Sequence, residues 1–402
     1  MGFMHFDDSL ELLNTIKIEN PKRKKIYLMD ALGYILAQDI VASHNSPEYP
    51  TSAMDGYAIK CSDQALKKLQ IASINPAGSE SEEAVEQGSC IKTFTGSLMP
   101  QDSDTLIPIE NVTVEGDKII INEAVSEGFA VREVGENYAK DEVLIAKDTL
   151  IDMAQIGVMA SLNEVNIWVY EKPSVAILST GSELLELGQT QTNRSQIRSS
   201  NNYILEAMVN RYGGKALQLG CISDDRASIS QAMQEALAGS DIVVTTGGVS
   251  VGDFDFVKDV VRDELGCEVL FKGVRVKPGQ HIMVAQKNDK FIIALPGFAY
   301  SATVTALIYL VPLIAKFQKS PSSLKVIKAT LKEPFVKRAK KAEFSACNCY
   351  LEEGKYVVDF EGKKVGSSAI LTNMLGSVGL LITSQEDNSK DVGDEVEVLL
   401  LG

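Results

Sequence analysis

Histidine and tryptophan are scarce in this 402-residue chain, with three of the first and one of the second. His5, His44 and His281 are far apart and form no pair in sequence, so imidazole general-base catalysis has no visible signature. Basic residues are also outnumbered, 39 against 54 acidic, for a net charge of −15. That argues against a general nucleic-acid or anionic-membrane binder, because both need a basic footprint. A small anionic substrate needs only a local basic or metal-loaded pocket, so it stays open. The six cysteines are Cys61, Cys90, Cys221, Cys267, Cys347 and Cys349. Most stand singly among apolar or β-branched neighbours and read as buried free thiols. Cys347-x-Cys349 has no second pair and no nearby histidine, so zinc is not expected. A reducing cytoplasm fits this usage. MGFMHFDDSLELL offers no basic stretch, apolar run and cleavage site, so no signal peptide is expected. Phe6 stands where a myristoylation signal after Gly2 wants Ser or Thr. One apolar run, Phe298 to Phe317, is at the short end for a membrane span and reads as a buried helix.

At roughly 150 residues per domain, the length corresponds to two to four domains. The first 40 residues read as two helices. Asp7 or Asp8 would cap SLELLNTI, and KKIYLMDALGYILAQDIVA follows. Residues 41–140 carry short β-branched runs and frequent turn signals, which reads as a small β-rich domain. Residues 141–170 read as strand, short helix, strand, and would complete a discontinuous linker domain with 1–40. From 171 to 319 the pattern changes. PSVAILST, KALQLGCIS, DIVVTT and FIIA are strands without alternation, separated by helices at about 201–212 and over RASISQAMQEALAG. A third helix reads over FDFVKDVVRDEL. That pattern predicts a parallel sheet covered on both faces. Residues 320–402 return to short strands and turns, a second β domain. The fold class is therefore multidomain α/β plus β.

In a parallel α/β sheet, ligands bind at the carboxyl ends of the strands. Those ends are Thr180-Gly181-Ser182-Glu183, Asp224-Asp225 and the loop from Thr246 to Asp255. Gly247, Gly248 and Gly252 permit positive φ and close backbone approach, and loop amides before a helix form an anion site. The loop is neither a Walker A sequence nor GxGxxG. Its company is acidic: Glu183, Asp224, Asp253 and Asp255. Carboxylates beside phosphate repel unless a cation stands between them, and Mg²⁺ characteristically joins carboxylates to substrate phosphates. Of Lys272, Arg275 and Lys277, the last is the best anion ligand, next to the Pro278-Gly279 turn. Ser52-Ala53-Met54-Asp55-Gly56-Tyr57-Ala58 is, on its own, an Asp-Gly turn.

Several motifs occur together in one order. SAMDGYA at 52–58, Thr95-Gly96, Arg132-x-x-Gly135-Glu136, STGSEL at 179–184 and TTGGVSVGDFDF at 245–256 resemble the MoeA family of molybdopterin molybdenumtransferases. The gephyrin E domain belongs to the same family. KPG at 277–279, LPG at 295–297, GSSAILTNMLGSVGLLI at 366–382 and DVGDEVEVLLL at 391–401 extend the resemblance over essentially the whole chain. It implies a central three-layer α/β/α molybdopterin-binding domain, an inserted β-rich domain and a C-terminal β-barrel-like domain. It implies an elongated homodimer and insertion of molybdate, or tungstate, into adenylylated molybdopterin with Mg²⁺ and release of AMP. A molybdopterin adenylyltransferase would be the upstream partner.

By motif position, Asp55, Thr95, Glu183, Asp224 and Asp255 match the family's reacting site, with Asp55 and Thr95 contributed by the partner subunit. The resemblance places pterin phosphate on Gly247, Gly248, Ser250 and Gly252, with Lys277 and Pro296 alongside, and metal on Asp224 and Asp255. The chain departs from the family at Asn137, where Asp is usual, and at Ser182, Gln280, His281, Phe298 and Ala299. These departures leave open a pterin- or nucleotide-binding carrier without efficient transfer. A nucleotide hydrolase on the same α/β fold is opposed by SAMDGYA and by the C-terminal β domain.

Overall fold

The computed structural model describes residues 3–79, 83–248, 256–321, 324–364 and 367–401. The chain divides into two compact units. One takes Met1–Ile26, Gly33–Ala37 and Trp168–Gly402, and the other Tyr27–Leu32 and Gln38–Ile167.

The N-terminal helix α1, Phe6–Thr15, belongs to the first unit. Its cap is His5, whose side chain accepts from the Asp7 amide. Asp7 and Asp8 therefore sit in the first turn, where carboxylates favour the helix dipole, and do not cap it. The second expected helix does not form. Arg23–Tyr27 is a strand, Leu28–Asp30 a single 3₁₀ turn and Ile40–Val41 a short strand. Gly33 at φ 75° lies outside helical space, and Ile35, Leu36 and Ala37 are buried in succession, which no one-sided helix allows.

The second unit is built on a six-stranded sheet. Its strands are β1 Gly56–Ile59, β2 Lys68–Asn75, β3 Ser89–Thr93, β4 Thr105–Pro108, β5 Val112–Glu115 and β6 Lys118–Ile121. Their order is β4–β1–β3–β2–β6–β5. Tyr57, Ile59, Leu69, Cys90, Ile107 and Ile119 fill its core. Helix α2, Met153–Ser161, starts from a capping box of Asp152 and Gln155, as the strand–helix–strand reading of 141–170 requires.

The first unit holds the central sheet. Its strands are β7 Ser174–Thr180, β8 Lys215–Ile222, β9 Ile242–Thr246, β10 Glu268–Lys272, β12 Met283–Lys287 and β13 Lys290–Leu295. The order is β8–β7–β9–β13–β12–β10. The first four run parallel, but β12 pairs antiparallel with both β13 and β10, so that β12 alone runs against the other strands of this sheet. The all-parallel expectation is corrected at this edge. Asn288, at φ 56°, turns a tight hairpin between β12 and β13, and a hairpin can only join antiparallel strands. Helix α3, Asn201–Arg211, and the long apolar helix α5, Ala299–Phe317, cover one face with α1. Helix α4, Arg226–Gly239, covers the other with Val257, Val260 and Val261. Alternate residues of β7 split between these faces: Val175 and Ile177 to one core, Ala176 and Leu178 to the other. Helix α5 is long and apolar enough to cross a membrane, yet 83% of its apolar window is buried inside the unit. It is a core helix.

The C-terminal strands are β14 Lys325–Leu331, β15 Ala342–Glu352, β16 Lys355–Asp359, β17 Val378–Thr383 and β18 Glu395–Leu400. They pair in the order β15–β16–β14–β18–β17, and β17 closes back on β15 to make a barrel. One short strand ties it to the central layer: β11, Val276–Lys277, pairs in parallel with Ala342–Glu343. Phe344, Ala346, Leu380 and Leu399 of the barrel continue the core of α1 and α5, with Phe6 against Phe344 edge to face at 5.5 Å.

Candidate active site

The carboxyl ends of β7, β9 and β13 lie side by side over a buried polar network. Ser179 Oγ donates to Asn202 Oδ1 at 2.6 Å, and Thr246 Oγ1 donates to Ser179 Oγ at 2.7 Å. Asn202, on α3, is fully buried. These bonds fix the strand ends from which the functional loops spring. Gly247 follows Thr246 at φ 88°, and a Cβ there would stand 2.7 Å from the Thr180 carbonyl oxygen. Only glycine lets the loop start this close to its neighbour. Gly248 continues it, whereas Ser250, Gly252, Asp253 and Asp255 lie outside the described residues.

The acids gather at the next strand ends. Asp224 Oδ2 accepts from the Ser182 amide at 3.2 Å. The Glu183 carboxylate folds back over Gly181, whose added Cβ would meet both its oxygens at 2.9 Å. Glu183 is exposed and Asp224 half-buried. Asp225 is instead the cap of α4, accepting from the Ser228 amide at 2.9 Å. Hydrogen bonds from Ser228 hold its carboxyl below the ordinary range. Thr180 Oγ1 and Asn201 Oδ1 are buried without a hydrogen-bond partner among the described residues. Thr180 Oγ1 faces the start of the glycine loop, 2.9 Å from where a Cβ on Gly247 would stand. Carboxylates such as Glu183 and Asp224 at adjoining strand ends suit Mg²⁺, which takes few protein ligands and keeps places for substrate oxygens. No group of three or more His, Cys, Asp or Glu side chains able to hold a metal occurs among the described residues. Burial pushes the Cys221 thiol up to about 11, which disfavours the reactive thiolate.

The Leu295-Pro296-Gly297 turn joins this edge to a second region. The Gly297 carbonyl accepts from Asn201 Nδ2 at 2.8 Å, while Pro296 lines a cavity of about 650 Å³ bordered by the barrel. Lys277, Arg338, Lys341, Lys363 and Lys364 supply five cationic side chains to its wall. Phe298, Tyr300, Phe335, Phe344 and Phe360 supply rings, and Glu333 and Glu343 the acids. Lys277 Nζ donates to Glu343 Oε1 at 3.0 Å. Glu343 is almost fully buried, and its Oε2 has no partner among the described residues. Lys363 Nζ donates to the carbonyls of Asn373 and Leu375, and burial holds its ammonium below the ordinary lysine range. In a chain of net charge −15, such a cationic wall is a local exception. The C-terminal cations were absent from the sequence-derived site. Their signal was the cluster Lys337, Arg338, Lys340, Lys341 and the pair Lys363-Lys364.

Asp55 and Thr95 come together in the other unit. Asp55 Oδ1 accepts from both the amide and the hydroxyl of Thr95, each at 2.8 Å. The Thr95 amide, then its hydroxyl, hold the exposed Asp55 carboxyl below the ordinary range. Gly56 is required sterically, since a Cβ would stand 2.3 Å from the Ile107 carbonyl oxygen. Nearby, Arg132 pairs with Thr51 across two short strands and donates to Glu136 at 3.0 Å. The Asn137 amide group donates to Ser46 Oγ at 3.4 Å.

Comparison with known proteins gives the family. Residues 4–163 match the model of the MoeA N-terminal region, domains I and II, and residues 176–316 that of a probable molybdopterin binding domain. The chain is 31% identical to a molybdopterin molybdenumtransferase of Nostoc, over 72% of this chain and 68% of the relative. The chain belongs to the MoeA family. Another MoeA relative, the molybdopterin molybdenumtransferase of Haemophilus influenzae, is 29% identical over 92% of each chain. The crystal structure of the molybdopterin biosynthesis moeA protein from Pyrococcus horikoshii OT3 matches 99% of this chain with a TM-score of 0.82 at 27% identity. The MoeA fold thus includes the C-terminal barrel, which neither family model reaches.

Proposed function

We propose that the chain is the molybdenum insertase of molybdenum cofactor biosynthesis, a transferase that inserts molybdate into adenylylated molybdopterin and releases AMP. The observation that carries this reading is the adjacency created by the Pro296-Gly297 turn. A glycine loop suited to phosphate lies on one side of it and a cationic cavity suited to a tetrahedral dianion on the other. The loop amides of Gly247 and Gly248, with Ser250 and Gly252, would bind pterin phosphate. Lys277 and Lys341 would hold the oxyanion, and the aromatic wall would exclude water around it. Glu183, Asp224 and Asp255 would hold Mg²⁺, which when bound neutralises substrate phosphate charge.

The same reading includes a cytoplasmic homodimer in which Asp55 and Thr95 serve the partner's site. A molybdopterin adenylyltransferase would supply the substrate. The four-part division into 1–40 with 141–170, 41–140, 171–319 and 320–402 also belongs to it. The test is AMP release by the purified chain from adenylylated molybdopterin, with molybdate or tungstate, and complementation of an insertase-null strain scored by a molybdoenzyme activity. Binding of adenylylated molybdopterin without oxyanion-dependent AMP release, together with failed complementation, would reject it.

A further inference from the structure

In the cavity wall, three side chains form a directed chain. Lys341 Nζ donates to Gln280 Oε1, and Gln280 Nε2 lies 2.9 Å from His281 Nε2. An ammonium has donors and no lone pair, so it can meet only the oxygen of the amide. The NH₂ group must then face His281, and a donor there needs an acceptor. His281 Nε2 therefore carries no proton, and the neutral ring holds its hydrogen on Nδ1. Were the amide reversed, NH₂ would face the ammonium, donor against donor. Phe3 meets the imidazole edge to face at 5.5 Å.

From this geometry we infer that Gln280 is a positioning residue that orders Lys341 for the anionic substrate, with its amide direction set by His281. The inference rests on the oxyanion reading of the cavity. Lysine has a flexible four-carbon stem and three donors. One donor is spent on Gln280, which leaves two for a ligand and removes much of the ordering that binding would otherwise require. Glu343 does the corresponding task for Lys277, by charge instead of by an amide. Neither role needs Gln280 to touch the reacting atoms.

The first test needs no substrate. With only three histidines in the chain, ¹⁵N spectra of labelled imidazoles resolve each ring. At about pH 8, where an ordinary imidazole is neutral, His281 is expected as the Nδ1–H tautomer. Gln280→Leu is expected to abolish that preference. An Nε2–H tautomer in the unaltered protein would overturn the inference. The second test is kinetic. Gln280→Leu is expected to raise the molybdate KM about three- to tenfold, the scale of ordering one long side chain, with kcat unchanged. In a Lys341→Met background the same substitution is expected to add nothing. Additive effects, or a fall in kcat alone, would overturn the role. If the unaltered chain keeps the Nδ1–H tautomer but shows no molybdate-dependent AMP release, the insertase reading fails while the Lys341–Gln280–His281 geometry stands.

Discussion

At the sheet edge, Glu183 and Asp224 stand at the ends of neighbouring parallel strands, on turns that any α/β sheet would place together. In the cavity, Lys277 meets Glu343 across 66 positions of sequence, and Gln280 meets Lys341 across 61. The first region is acidic and half open. The second is cationic, lined with rings, and tied by the partly buried Lys277–Glu343 ion pair. A substrate that carries phosphate at one end and accepts an oxyanion at the other needs both. The two regions differ in what disruption costs. The edge should lose chemistry without losing fold, whereas the cavity should lose both together.

The largest effect should come from breaking the cavity's ion pair. Lys277→Met removes an anion ligand and leaves Glu343, with 6% of its side chain exposed, carrying an uncompensated charge. Because Lys277 is about a third exposed, the stability cost should be about 2 kcal/mol, below that of a fully buried pair. Activity should fall about a hundredfold, as when one donor to a reacting oxyanion is lost. Adding Glu343→Gln should restore most of the stability and none of the activity. Thermal unfolding and AMP release on the single and double variants separate the two. Recovered activity in the double variant would mean that Lys277 is only structural.

The edge should answer differently. Asp224→Asn keeps the bond from the Ser182 amide through its carbonyl oxygen but loses the charge. Folding should be unchanged, while the Mg²⁺ concentration for half-maximal AMP release should rise about tenfold. Unchanged metal dependence would remove Asp224 from the metal site.

What could be read in advance follows the same division. The strands of the central sheet, the glycine loop and the acids are local in sequence, because each motif is a strand end and the turn after it. The hairpin Met283–Leu295 was missed because its two strands are short apolar runs that parallel strands also use. The second N-terminal helix was misread because Lys24 to Ala42 has helix-like spacing, while Gly33 breaks it. The cavity was invisible for a stronger reason. It exists only because Val276–Lys277 adds in parallel to Ala342–Glu343, and that register is tertiary. Even so, Lys277 was singled out for its neighbouring turn, and it lines the cavity.

A smaller effect is expected at Asp55, in the other unit. Two hydrogen bonds from Thr95 lower its carboxyl, so they favour the folded state above the ordinary carboxylate range. That contribution disappears as pH falls through the lowered value. Thr95→Val keeps the amide bond and removes the hydroxyl. The Asp55 carboxyl should then titrate closer to the ordinary range near about 3.9, which a side-chain NMR titration measures directly. An unmoved titration would mean that the amide alone sets it.

The smallest effect on stability should be at Asn137. Its backbone amide donates to the Ser46 carbonyl at 2.8 Å, which fixes the loop whatever the side chain. Its side-chain NH₂ reaches Ser46 Oγ at a long 3.4 Å. Asn137→Asp replaces that donor with an acceptor, and the Ser46 hydroxyl can rotate to donate instead. The side chain is exposed, so stability should change by no more than about 0.5 kcal/mol. The added charge is another matter. An amide repels molybdate or tungstate less than a carboxylate does, so the substitution should change the rate or the oxyanion preference of insertion. AMP release with molybdate and with tungstate, for both forms, measures this. Equal rates and equal half-saturation in the two forms, for both oxyanions, would make Asn137 a neutral loop residue.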